Sequence, residues 1–168
     1  MTSNHETLPY RPCAGIMLFN RDGLIFVGKR ADEETLPEGG GWWQMPQGGI
    51  DENEDAEAAA RRELYEETNI RSVSLIAAMS NWITYDLPPH LLGKAWKGRY
   101  RGQKQKWFAY RFEGEDTEID VLDPGDGHKP EFVDWRWAAL GELSALVIPF
   151  KRSAYEQVLA EFAHLAKS

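Results

Sequence analysis

Three glutamates close one short stretch of the chain: Glu63, Glu66 and Glu67, within Arg62-Glu-Leu-Tyr-Glu-Glu67. On a 3.6-residue helical period they fall within an arc of about 100° and make a single carboxylate cluster. As a solvated helix face the arrangement is unfavourable. Acidic groups in a last turn oppose the helix dipole, and like charges at i,i+3 and i,i+4 repel, each costing a few tenths of a kcal/mol. The arc also holds Ala56, Ala59 and Ala60, so the stripe is predicted to lie close against another backbone. A hard cation with oxygen ligands, Mg²⁺ or Mn²⁺, would offset the repulsion. Such ions neutralise phosphate charge, orient an attacking water and lower its pKa. On spacing alone, a charged surface helix rich in Ala and Glu is the alternative.

The elements that must position the cluster follow from pattern and punctuation. Gln47-Gly48-Gly49 is predicted as a tight turn into a helix over 54–68, with Asp51, Asn53 or Glu54 as N-terminal acceptor and Asn69 as a left-handed C-terminal residue. Upstream, strands over 11–19 and 24–30 around an Asn20–Gly23 turn read as a hairpin, and 42–45 as a short strand ending at Pro46. A polar loop occupies 31–41. Downstream come a strand over 72–79, a long loop over 81–102 and a strand over 103–112, in which Lys104, Lys106 and Phe108 share one side and Gln105, Trp107 and Ala109 the other. An acidic loop over 113–129 is expected to be solvated. A last strand over 132–137 begins beside Glu131, then a short helix covers 140–146 and an amphipathic one 151–167, with Tyr155, Val158, Leu159, Phe162 and Leu165 inward. About six strands with a central and a terminal helix predict a mixed sheet between helices.

With 168 residues and 42% apolar content, one domain over 10–168 behind a flexible tail over 1–9 accommodates the chain. The N-terminus lacks the basic and apolar regions of a secretory signal and no run is long enough to span a membrane, so the expectation is a cytoplasmic protein without membrane contact. The lone Cys13 cannot form an internal disulfide and reads as a small buried hydrophobe. The net charge of −8 disfavours duplex DNA as partner, but the segment between Asp86 and Glu113 holds no acidic residue while carrying Lys94, Lys97, Arg99, Arg101, Lys104 and Lys106. Beside a carboxylate site, this basic run suggests phosphate binding. Arg11, Lys104 and Lys106 are the candidates, with Tyr85 as a phenol donor; for the lysines, solvated strand edges are the alternative. Glu63 and Glu67 are the expected direct metal ligands, Glu66 a ligand or water-bridged partner, and a carbonyl of Gln47 or Gly48 could complete the set.

Gly48, five residues, Glu54, seven residues, then Arg62-Glu63-Leu64-x-Glu66-Glu67-x-Asn69-Ile70 resembles the Nudix box, G-x5-E-x7-R-E-U-x-E-E-x-G-U. Asn69, where the family usually has glycine, is the one departure. The resemblance implies an α/β/α Nudix sandwich with a central mixed β-sheet, a Glu54–Arg62 brace, more than one divalent ion, and hydrolysis of a nucleoside diphosphate linked to another moiety. Tyr10-Arg11-Pro12, Trp43 to Gly49, Asn81-Trp82 with Tyr85, Gly102 to Phe108, Pro130-Glu-Phe132 with Trp135-Arg-Trp137, and Phe150-Lys-Arg152 extend it to the bacterial RNA pyrophosphohydrolase and dinucleoside polyphosphate hydrolase subfamily. That implies as partner a 5′-triphosphate RNA end, in mRNA decay, or a dinucleoside polyphosphate such as diadenosine tetraphosphate. It makes Glu131 an extra carboxylate near the metals, with the water-activating base one of the four glutamates, and Phe150 a base-stacking aromatic, a core position being its alternative. A nucleotide-pool-cleansing triphosphate pyrophosphatase and a noncatalytic nucleotide-binding module are the other readings.

Overall fold

The structure, a computed structural model, describes residues 7–31, 41–124 and 129–166. Eight strands form one mixed sheet: β1 (Tyr10–Phe19), β2 (Ile25–Arg30), β3 (Trp43–Gln44), β4 (Gln47–Gly49), β5 (Val73–Ala78), β6 (Ile83–Asp86), β7 (Gly102–Phe112) and β8 (Phe132–Ala138). Its centre is the parallel pair β1–β7, in register from Tyr10 opposite Gly102 to Phe19 opposite Arg111. β4 and β6 flank the first half of this pair; β2 and β5 flank the second.

Alternation along the two central strands sorts side chains into two cores. On one face Ala14, Ile16, Phe108 and Tyr110 pack against Ala59, Ala60 and Leu64 of α1 (Ala56–Thr68). On the other, Met17, Trp107 and Ala109 meet α2 (Leu143–Leu146) and α3 (Arg152–Phe162), the latter through Tyr155, Val158 and Phe162. The α/β/α layering is as expected. Among the described residues no helix is long and apolar enough to cross a membrane.

Several local expectations are corrected. Gln47–Gly49 is not a turn but a strand paired with Cys13–Gly15. Its glycines serve close approach: a Cβ at Gly48 would enter the Glu63 carboxyl, and one at Gly49 would stand 2.5 Å from an Arg11 guanidinium nitrogen. The hairpin over 11–30 pairs only Phe19 with Ile25, because β2 turns away to pair with β8 over Ile25–Arg30. The long loop over 81–102 contains β6. The acidic segment is not simply solvated, since Ile119 and Val121 are buried and Asn69 Nδ2 donates to the carbonyls of Asp120 and Asp123 at 2.9 and 2.8 Å. α3 begins at Arg152 and gives way to a 3₁₀ turn at Ala163–Leu165. Residues 1–6 of the expected tail, 32–40 of the expected loop and 167 lie outside the described residues; at the tail's end, the Pro9 carbonyl accepts from the Arg101 N–H at 3.1 Å.

Candidate active site

α1 is capped by none of its three candidates but by the next residue, Asp55, whose carboxylate accepts from the Ala58 N–H at 3.1 Å. Glu54 is released from capping to grip Arg62, accepting from Nε and Nη2 at 2.8 and 2.9 Å in the expected brace. The same guanidinium donates from Nη2 to the Gly49 carbonyl at 2.9 Å, and from Nη1 to Glu63 and Glu66 at 3.0 and 3.1 Å. One planar fork thus fixes β4, the loop before α1 and two of the three glutamates. This answers part of the repulsion that the sequence makes conspicuous.

Glu67 is the exception. It is 7% exposed, its Oε1 has no hydrogen-bond partner, and it lies beside Gln47, Glu63 and Glu131 in the same cavity. Burial, with the charges of Glu131 and Glu63, pushes its carboxyl well above the usual range. Glu63 is raised as well, by burial and by Glu66, against the opposing pull of Arg62. Neighbouring buried carboxylates repel unless one is protonated, and a divalent cation would offset the same repulsion more completely. The Gln47 side-chain oxygen is a second buried acceptor without a partner beside them. These hard oxygen donors fit a divalent ion. Among the described residues no three acidic, His or Cys side chains already converge on one point, since Glu63 and Glu66 are turned onto Arg62.

The glutamates form one wall of a cavity of about 560 Å³. Gln47, Gly48, Glu63, Glu66, Glu67 and Glu131 line that side; Arg11, Arg30, Lys129 and Lys151 bring positive charge to it. Of the expected phosphate contacts, Arg11 lies here, its guanidinium 5.4 Å from the centroid of Trp96. Lys104 and Lys106 do not: β7 turns them to the α1 face, and Gln103 lines the cavity instead. A buried chain positions Gln103, with Trp107 Nε1 donating to Gln105 at 2.9 Å and Gln105 Nε2 to Gln103 Oε1 at 2.7 Å. The Gln103 amide NH₂ is left to the cavity. Tyr85 and Phe150 both line it, ring centroids 5.9 Å apart, and burial raises the Tyr85 phenol so that it stays a donor. Burial also pushes the Cys13 thiol up to about 11, in keeping with an inert hydrophobe.

Arg30, Lys129 and Lys151 are the cavity cations that a reading of the sequence misses, and Lys151 is the buried one. Only 7% exposed, it reaches Gln44 Oε1 at 3.3 Å. Its one signal is its place between Phe150 and Arg152. Trp96 and Lys97 carry a second unread feature, two successive left-handed residues at φ 50° and 58° in the segment joining β6 to β7.

A NUDIX domain signature matches residues 9–162. The chain belongs to the NUDIX family. Among its Nudix relatives, one from Nitrobacter winogradskyi named RNA pyrophosphohydrolase is 56% identical over 164 residues, covering 98% of this chain and 96% of its own. The fold is also that of the E. coli dihydroneopterin triphosphate pyrophosphohydrolase, with a TM-score of 0.66 at 20% identity over 91% of this chain and 99% of that one. A C. elegans Ap4A hydrolase in a binary complex superposes with a TM-score of 0.62 at 18% identity, covering 92% and 98%.

Proposed function

We propose that this Nudix chain is a divalent-metal-dependent pyrophosphohydrolase that removes pyrophosphate from 5′-triphosphorylated RNA ends, and that the same cavity accepts dinucleoside polyphosphates. The observation that carries the proposal is the buried Glu67 carboxylate with an unpartnered oxygen, facing Glu63 and Glu131 in a cavity that Arg11, Arg30, Lys129 and Lys151 also line. Acidic and basic groups brought together in one cleft suit a polyphosphate whose charge is shared between metal and cationic side chains. The near full-length relative named RNA pyrophosphohydrolase supports the choice of RNA.

Glu63, Glu66, Glu67 and Glu131, with a carbonyl of Gln47 or Gly48, would hold Mg²⁺ or Mn²⁺. Bound there, the ions would neutralise phosphate charge and lower the pKa of an attacking water. Arg62 orients Glu63 and Glu66 from behind. Arg11 and Lys151 would bind phosphate oxygens, with the Gln103 amide and the Tyr85 hydroxyl donating neutral hydrogen bonds. Phe150 offers the terminal base a stacking surface beside Tyr85. One of the four carboxylates accepts the proton of the water.

Initial rates on 5′-triphosphorylated RNA, diadenosine tetraphosphate and free nucleoside triphosphates, with products identified, test the assignment. Pyrophosphate released fastest from RNA is expected; fastest turnover of free triphosphates would overturn it in favour of pool cleansing. Glu67→Gln should cost on the order of 10²-fold or more in kcat on RNA, the scale of losing a positioned carboxylate.

A further inference from the structure

Lys104 and Lys106 turn away from the cavity toward a different partner. Their ammonium groups stand 4.9 and 5.7 Å from the ring centroid of Trp82, just ahead of β6. Trp82 is 41% exposed and is the one aromatic among the exposed large hydrophobic side chains of the described residues. Neither lysine is ion-paired among those residues. Arg101, by contrast, is held by Asp86 at 2.9 Å.

Strand register ties this patch to the glutamates. Gly48, whose Cβ direction meets the Glu63 carboxyl, pairs with Ala14, and Ala14 pairs with Lys106. Residues directly opposite on neighbouring strands point to the same face. Ile83 opposite Gln105 places Trp82 beside Lys106 at the next step. Gly48, Ala14, Lys106 and Trp82 therefore follow one row across the sheet, with the Glu63 carboxyl over Gly48 and α1 packed over Ala14. At about 4.8 Å per strand, Lys106 lies about 10 Å and Trp82 about 14 Å from Gly48 along that row. A strand whose 5′ end is held at the carboxylates reaches the ring within a few nucleotides.

We propose that Trp82, Lys104 and Lys106 bind the RNA chain downstream of its 5′ end, one base stacking on the indole and the flanking phosphates drawing the two ammonium groups onto themselves. An aromatic face with adjacent cations is the recurring means of holding single strands without sequence preference. The segment between Asp86 and Glu113 carries no acidic residue, so the strand bearing the lysines adds no like charge of its own. The inference rests on the reading of the cavity as a site for RNA 5′ ends, and it extends the contact surface beyond a dinucleotide.

The test pairs binding with turnover. Binding of a 5′-hydroxyl octanucleotide, which brings no triphosphate to the cavity, is measured alongside kcat/KM on a 5′-triphosphorylated dinucleotide and octanucleotide. Trp82→Ala should weaken octanucleotide binding roughly fivefold or more, raise KM on the triphosphorylated octanucleotide in proportion, and leave the dinucleotide unchanged. Trp82→Phe should restore most of the loss. Replacing both lysines by Gln should flatten the dependence of octanucleotide binding on log salt by about 1.4 units, roughly 0.7 for each lost phosphate contact on a single strand. Unchanged octanucleotide binding in Trp82→Ala, as for a ring that only packs or that receives a protein, overturns the proposal. So does an equal loss on both substrate lengths. Failure of the unaltered protein to hydrolyse either RNA would instead sink the substrate reading, while Trp82-dependent binding of the 5′-hydroxyl strand supports the platform by itself.

Discussion

Glu67 concentrates the electrostatic cost of the site in one carboxyl. Its value is raised above the ordinary 4.5 by burial and by Glu131 and Glu63, so the folded protein holds that proton more tightly than the unfolded chain does. Its contribution to stability is therefore fully present below pH 4.5 and is lost as pH rises through the raised value. Glu54, held down by the Arg62 guanidinium, and Glu57, held down by the Tyr110 hydroxyl, act oppositely, but only below the ordinary carboxylate range. Urea titrations of chelator-treated protein should thus show stability increasing as pH falls from above the raised value toward the ordinary carboxylate range, with the slope reduced in Glu67→Gln and the remainder carried by the similarly raised Glu63. A flat profile in the unaltered protein would contradict the raised carboxyl. Mg²⁺ should remove the same slope at neutral pH, because it satisfies the carboxylates that otherwise compete for one proton.

At the scale of elements, the end of α1 explains why asparagine can stand in the family's glycine position. Asn69 has φ 67° and ψ 5°, its N–H closes the helix on the Tyr65 carbonyl, and its side chain ties down the segment over 120–123. Glycine would keep the backbone and lose the ties; alanine would lose both. Thermal or urea denaturation should rank Asn69 above Gly by about 1 kcal/mol, and Gly above Ala by about another. Ala equal to Asn would deny the left-handed cap. Much of this level was legible in the sequence. The box, the α1 face and the left-handed Asn69 follow from local spacing. β4 was not, because two glycines look like a turn until the Glu63 carboxyl and the Arg11 guanidinium are seen filling the space where their side chains would be. Nor was the face on which Lys104 and Lys106 lie, since alternation says which residues travel together but not which side meets the cavity.

For the whole molecule, the cavity is assembled across both layers. Glu63, Glu66 and Glu67 come from α1 on one face of the sheet, and Phe150 and Lys151 from the segment entering α3 on the other. Three of the four carboxylates lie in one contiguous motif and could be read directly, while Glu131 stands just ahead of β8. The cationic wall draws Arg11, Arg30, Lys129 and Lys151 from four separate segments, and only tertiary packing collects them. Lys151→Met, similar in volume and without charge, is expected to fold while losing about tenfold or more in kcat/KM on triphosphorylated RNA, the scale of one charged hydrogen bond. Undiminished kcat/KM in a folded variant would remove Lys151 from phosphate binding.

The central pair β1–β7 also governs how this architecture comes into being. Every one of its parallel pairings, from Tyr10 against Gly102 to Phe19 against Arg111, joins the beginning of the chain to a point well past its middle. Parallel strands of such separation cannot zip from a local turn, and closing so long an excursion costs chain entropy before any pairing compensates for it. Docking of β7 onto β1, more than the Asn20–Gly23 turn or α1, is therefore expected to limit folding speed. During synthesis the glutamate helix leaves the ribosome well before β7, and Lys151 follows later still. The cavity is therefore complete only when residues from both ends of the chain have docked.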